Sequence, residues 1–386
     1  MSAKSSAVSQ VFCGRAITPQ ADLRSVLIRI QDGLVAAVRP NAERPTGDFV
    51  DASDGIAIPG LIDIHVHGSA GHDVIDGTYE AIDGISTHLA RCGVTSFLPT
   101  VVAAPWPEMV AAMDAVREAV RRGTSGATVL GAHVEGPFLN PENRGAMPAD
   151  VLRRPSVAEF ERYLGDFVPH IKIMTVAPEL DGAGELICHL ARRAIVVSVG
   201  HTVATYDQVV QAMDAGARNA THTYNAMRGL HHREPATVGA VLAEDRLFAE
   251  LIWDNLHVHP AAAKALVRAK GSARVMLVSD AMRAAGFADG EYKLGDQAVY
   301  VREGSARLAD GTLAGSIVTL DQALRNASEH FDLQAAVRMA SHTPAEALRV
   351  SDSIGSIGEG LSADLVVLDQ NLNVRRVFIR GREIGT

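Results

Sequence analysis

Cysteine is scarce in this chain of 386 residues: Cys13, Cys92 and Cys188 stand far apart, with no CxxC spacing among them. So sparse and odd a set excludes a disulfide framework and fits reduced thiols, so a cytoplasmic location is expected. Long apolar stretches are missing as well. No run reaches the roughly 18 residues that a membrane-crossing helix needs. The opening stretch MSAKSSAVSQVFCGRAITPQ has no apolar segment long enough for a signal peptide. Nor is there an excess of basic charge: 36 Lys and Arg face 45 Asp and Glu, a net charge of −9. That balance argues against a nucleic-acid partner. No fixed-period repeat or low-complexity tract stands out. What remains is 47% hydrophobic and 21% charged residues, a composition that excludes a disordered chain and suits a soluble protein with a sizeable core.

The two ends resemble each other and differ from the middle. VFCGRAIT, SVLIRIQDG and LVAAVRP near the start, and DLVVLD and VRRVFIRG near the end, read as short strands broken by turns. Neither end could build a core alone, so 1–57 and 348–386 are expected to pair into one small β-sandwich domain. Between them, over 58–347, eight apolar runs alternate with helical patterns: LIDIHVH, VTSFLPT, ATVLGAHVEG, HIKIMTVAPE, AIVVSVGHT, RNATHTYNAM, LFAELIWDN and ARVMLVSDAM. PEMVAAMDAVREAVRR and TYDQVVQAMDAGA carry the helical spacing. Eight β/α alternations are what a TIM-type (β/α)8 barrel requires, with a doubly wound open sheet as the rival.

Several of these runs end in a residue type that performs chemistry: His65 and His67, Glu135, His201, His222 and Asp280. In a barrel the C-terminal strand ends share one face, which carries the active site. His65 and His67 lie at i and i+2 on a strand and so point to one side. Each residue alone has a bland explanation, as a strand histidine, a cap or an ion-pair partner. Together they form a set of imidazole and carboxylate donors that suits a borderline divalent metal. Zinc is the first expectation, with iron, manganese and cobalt also acceptable, and one or two ions per subunit. Such a metal activates water and polarises a carbonyl. Asp280, the acid at the last strand end, is the candidate to move the water's proton to a departing amine. The reaction expected is metal-dependent cleavage of a C–N bond.

PGLIDIHVHG, HVEGPFLNP, VGHT, THTYNAM, LHHREP, HVHP, SDAM and LADGTLAGS together resemble the amidohydrolase superfamily, and within it the deacetylases of N-acetylated amino-sugar phosphates. The resemblance implies that Glu135, His201 and His222 are the principal metal ligands. His65 and His67 match the pair found in members with two metals, and Asp280 the catalytic acid/base that also touches the second ion. Ala146, Met147, Asn225, Ala226, Arg233, His257 and the loop Leu313, Ala314, Gly315 match substrate-contacting positions. The implied activity is removal of the acetyl group from N-acetyl-D-glucosamine 6-phosphate, giving D-glucosamine 6-phosphate and acetate. The implied assembly is a homodimer, with part of the phosphate site supplied across the interface. Arg233 offers a planar fork suited to a phosphate.

One departure bears on the substrate. Met147, in ENRGAMP, stands where the family usually carries a histidine, and a thioether neither donates a hydrogen bond nor holds a charge. N-acetylgalactosamine 6-phosphate, another N-acyl amino sugar or an acyl amino acid are therefore alternative substrates. A binding protein that keeps the fold without activity is the alternative of another class. Cyclic-amide hydrolases and deaminases share the barrel and the HxH pair but leave HVEGPFLN unexplained.

Overall fold

A computed structural model describes residues 8–294 and 297–385; residues 1–7 and 386 of the two end segments lie outside that description. The chain starts with β1 (Gln10–Ile17), β2 (Asp22–Gln31), β3 (Leu34–Arg39) and β4 (Val50–Pro59). Along β2 and β3 exposed positions break up the buried ones, as in a sheet with one face left open. Then the pattern changes. β5 (Leu61–Val66), β6 (Val94–Val102), β7 (Ala132–Glu135), β8 (Ile171–Val176), β9 (Val196–Val199), β10 (Ala217–Ala220), β11 (Phe248–Ile252) and β12 (Val275–Val278) are buried almost end to end. Strands covered on both faces belong to parallel sheets wrapped by helices.

All eight pair in parallel and in chain order. The ring closes at its rim. Val66 bridges Ala281 in parallel, and the Asp280 N–H donates to the His65 carbonyl at 2.8 Å. The result is a nearly closed (β/α)8 barrel, and each of the eight apolar runs supplies one of its strands. Helices fill the crossovers as their sequences dictate. Trp106–Arg122 buries Met109, Ala112, Met113 and Val116 on one stripe, the spacing of a core-facing helix. Tyr206–Ala215 begins at a reciprocal cap between Thr205 and Gln208.

Beyond β12 an antiparallel hairpin and strand follow: β13 (Gly290–Leu294), β14 (Gln297–Arg302) and β15 (Ser305–Arg307). The sequence pattern gave no sign of this sheet. Its Gln297 side chain donates to the Ala146 carbonyl, tying it to the loop after β7. Three helices lead to β16 (Leu365–Leu368), β17 (Val374–Ile379) and β18 (Arg382–Ile384). These join the opening strands in one sheet of order β18-β17-β16-β4-β1-β2-β3. Val366 lies opposite Ile58, so the two chain ends meet at its centre.

Candidate active site

The C-terminal strand ends bring the candidate residues together in two groups. His65 Nε2 and His67 Nε2 are 3.3 Å apart, and Asp280 Oδ1 is 3.4 Å from the first and 3.2 Å from the second. In the other group Glu135 Oε1 lies 3.2 Å from His201 Nε2 and 3.1 Å from His222 Nε2, with 3.1 Å between the two nitrogens. Glu135 spans both. Its Oε2 is 3.2 Å from His67 Nε2, and its Oε1 is 3.5 Å from His65 Nε2. All six residues are buried.

The backbone holds this arrangement at some cost. His201, His222 and Asp280 have positive φ values of 47°, 28° and 48°, a region that non-glycine residues enter only when the surroundings over-determine them. Asp280 is gripped on both sides: its N–H donates to His65 O, and its carbonyl accepts from Ser316 N, both at 2.8 Å. The turn after each strand thereby aims its side chain back over the barrel axis.

Ring orientation is set from behind. His65 Nδ1 is 2.9 Å from Glu250 Oε2, His67 Nδ1 is 3.2 Å from the Thr100 carbonyl, and His201 Nδ1 is 2.8 Å from the Asn143 carbonyl. A carbonyl or carboxylate can only accept, so each of these Nδ1 atoms carries the proton and each Nε2 presents a lone pair. Lone pairs facing one another at such distances repel unless a cation lies among them. The donor chemistry therefore fits a divalent ion at each group.

The charge balance points the same way. Burial alone would push the Glu135 carboxyl up, but His65, His201 and His222 hold it well below the usual carboxylate range. For Asp280 too, burial is outweighed by His65, His67 and His222, which keep it ionised. Burial would lower His67, yet Asp280 and Glu135 push it up to about 9, so that a proton on its Nε2 takes the place a cation would otherwise fill between it and these carboxylates. Two buried carboxylates thus demand positive charge from whatever shares the pocket with them.

Above the floor formed by His67, Glu135, His201, His222 and Asp280 is a cavity of about 320 Å³. Of the substrate candidates, Ala146, Met147, Asn225, Ala226, His257, Leu313 and Gly315 line it. Met147 packs on Ala103, Leu139, Val151 and Leu152, forming an apolar stretch of wall. His257 is fixed by Asp254, whose Oδ2 lies 2.6 Å from its Nδ1, while Oδ1 accepts from the Leu256 and His257 N–H groups. Ala314 is buried behind the wall, with its N–H on the Ala306 carbonyl. Arg233 does not reach this cavity. It lies on the exposed loop 228–235, with Nη1 2.8 Å from His232 Nε2.

Other residues join the site without having been marked by the sequence. Asn143, Thr312, Glu142 and Val102 line the cavity. Thr100 and Asn143 hold ligand-type histidines through main-chain oxygens, for which no side-chain signature exists. Glu250 did leave a signal. It is an acid in the middle of a strand whose every residue is buried, a place where charge needs a partner.

The sequence pattern of the Amidohydrolase family matches residues 56–384. The chain is 40% identical over 370 residues to the N-acetylgalactosamine-6-phosphate deacetylase of Escherichia coli O157:H7, covering 95% of this chain and 97% of that one. It is 38% identical over 374 residues to the N-acetylglucosamine-6-phosphate deacetylase of Bacillus subtilis (strain 168), covering 95% and 94%. Among solved structures, a mutant of the Mycobacterium smegmatis N-acetyl-D-glucosamine-6-phosphate deacetylase in complex with N-acetyl-D-glucosamine-6-phosphate superposes with a TM-score of 0.94. That match has 33% identity and covers 99% of this chain and 100% of the other.

Proposed function

The chain belongs to the amidohydrolase family, and from that premise we propose that it hydrolyses the acetamide of N-acetyl-D-glucosamine 6-phosphate to D-glucosamine 6-phosphate and acetate. The observation that carries this reading is the pair of buried donor groups, joined by Glu135, at the floor of a cavity sized for a small ligand. His65, His67 and Asp280 would hold one divalent ion, Glu135, His201 and His222 the other, and zinc suits such donors. Bound there, the metal supplies Lewis-acid polarisation of the amide carbonyl and acidification of the attacking water.

The chain's own residues do the rest. Asp280, kept as a carboxylate by its histidine neighbours, takes a proton from the attacking water as the new C–O bond forms. It returns that proton to the nitrogen as the C–N bond breaks, so the amine leaves neutral. His257 is oriented by Asp254 so that its remaining nitrogen faces the cavity and binds the sugar or its phosphate. Asn225 and Ala226 line the same wall.

Arg233 fits this scheme through a second copy of the chain. Exposed on its own protomer, its guanidinium would reach the phosphate in the neighbour's cavity, which makes the working unit a homodimer. The three cysteines are free thiols, and no helix among the described residues is long and apolar enough to cross a membrane. Both suit an enzyme working in a reducing cytoplasm.

A second substrate is favoured by one observation. Met147 puts a thioether in the cavity wall, so selectivity for the sugar's hydroxyl pattern rests on fewer hydrogen bonds there, and the galactosamine epimer becomes a competitor. Acetate release from the glucosamine compound, the galactosamine epimer and the unphosphorylated sugar, each with metal-loaded protein, tests the reading. Highest kcat/KM on the glucosamine compound is expected. Faster turnover of the epimer would move the substrate, and no release from any of them would remove the activity.

A further inference from the structure

Glu250 has no part in the chemistry above, yet it is fully buried and touches both metal-type groups. Its Oε2 accepts from His65 Nδ1–H at 2.9 Å and from the His222 main-chain N–H at 3.1 Å. Its own carbonyl accepts from Thr223 N at 2.8 Å. Its Oε1 has no hydrogen-bond partner among the described residues. One oxygen on β11 thus fixes a side chain on β5 and the main chain just past β10.

The four histidines are not held alike. His67 and His201 lean on neutral main-chain carbonyls, and His222 Nδ1 has no partner among the described residues. His65 alone of the four leans on a carboxylate. A charge-assisted bond is roughly twice as strong as a neutral one, and a carboxylate behind an imidazole makes its far nitrogen a better donor to a metal. His133, whose ring packs edge-on against His65 with centroids 4.6 Å apart, is already engaged by the Ile64 carbonyl and Thr175 Oγ1. It cannot take over the task. The two contacts of Glu250 are also unequal. Loss of the carboxylate frees the whole His65 ring, whereas His222 keeps its strand on either side through the Thr221 N–H to Val199 O and the Thr223 N–H to Glu250 O.

We propose that Glu250 is a positioning residue that locks His65 Nε2 toward His67 and Asp280, and so sets the affinity of that group for its divalent ion. Affinity at Glu135, His201 and His222 stays nearly as it is. This rests on the two-ion reading of the site.

The test is zinc titration of the metal-free full-length chain, with bound zinc counted by atomic emission, for wild type, Glu250→Gln and Glu250→Ala. Urea unfolding of each metal-free form runs beside it. In Glu250→Gln the amide oxygen can keep the Oε2 position, with its NH2 in the place of the orphaned Oε1, so the bonds persist and the charge goes. Wild type fills both groups. Glu250→Gln weakens the second zinc by about 10–100-fold, and Glu250→Ala binds only the first. Graded loss confined to one ion is what a merely structural role would not produce. Wild-type affinity for both ions in Glu250→Gln and Glu250→Ala overturns the proposal, as does equal weakening of both ions in step with lost stability. Should Glu250→Ala fail to fold, Glu250→Gln alone decides. A wild type that fills only one group, or neither, refutes the two-ion reading itself and takes the proposal with it.

Discussion

The seven-stranded sheet and the barrel rim are both built from buried β-structure, and they treat polar groups in opposite ways. In the sheet, Val11, Cys13, Val26, Ile28, Leu365 and Phe378 pack together in an apolar core. Its left-handed residues Ser25, Asp32, Asn41 and Arg380 stand exposed at turns and bulges. Cys13 is inert there, its thiol pushed up to about 12 by burial. At the rim, three of the left-handed residues, His201, His222 and Asp280, are buried and polar, and Tyr224 and Ala226 share the conformation in the same turns. Strain and charge that a stable core would exclude are concentrated at one end of the barrel. That asymmetry separates scaffold from chemistry.

The largest effect should follow from removing what the rim demands. Chelation of the bound metal is expected to cut acetate release to the uncatalysed background and leave far-UV circular dichroism unchanged, with zinc restoring activity. Full turnover in a verified metal-free sample would contradict the donor geometry. Next in size is Asp280→Asn. Loss of the proton carrier should reduce kcat by about 10²–10⁴-fold while the Glu135, His201 and His222 group keeps its metal. Residual turnover within about tenfold of wild type would take Asp280 out of the proton path.

How much of this contrast was legible in the sequence depends on which physical signal carried it. All eight barrel strands were readable, because a strand covered on both faces shows as a short apolar run with turn residues at its ends. The residues of both metal-type groups were readable too, since each stands at the end of such a run. Three things escaped. The sheet of Gly290–Arg307 has alternation too brief to stand out from loop. Support by the Thr100 and Asn143 carbonyls comes from main chain, which any residue could supply. For Arg233, LHHREP points to the substrate and the family resemblance to a phosphate site shared across an interface, but no pattern within one chain says which residue crosses it.

A mutation on the other side of the comparison sharpens it. Phe378 is fully buried in the sheet core opposite Leu365. Phe378→Ala should cost about 3–5 kcal/mol of unfolding free energy, read from urea titrations. On the folded fraction, kcat and KM should stay within about twofold, since nothing in that core touches the rim. A large fall in kcat per folded molecule would mean that the sheet does more than support.

The smallest predicted effect concerns Arg233, which belongs to neither region of its own protomer. A charge-assisted bond to a phosphate contributes about 1.5–3 kcal/mol, so Arg233→Ala should raise KM for the phosphorylated sugar by roughly 10–100-fold with kcat nearly kept. The unphosphorylated sugar should show no change. The geometry adds a stricter requirement, because the cavity lining of one chain lacks this residue. Mixing Arg233→Ala with Asp280→Asn, each impaired alone, should form hybrid dimers in which the intact Arg233 of the second variant serves the intact Asp280 of the first. KM should then recover in about a quarter of all sites, or half of those that keep Asp280, once equimolar subunits have exchanged. Failure to recover, with hybrids verified by mass, would confine Arg233 to its own protomer and require the loop 228–235 to fold inward when substrate binds.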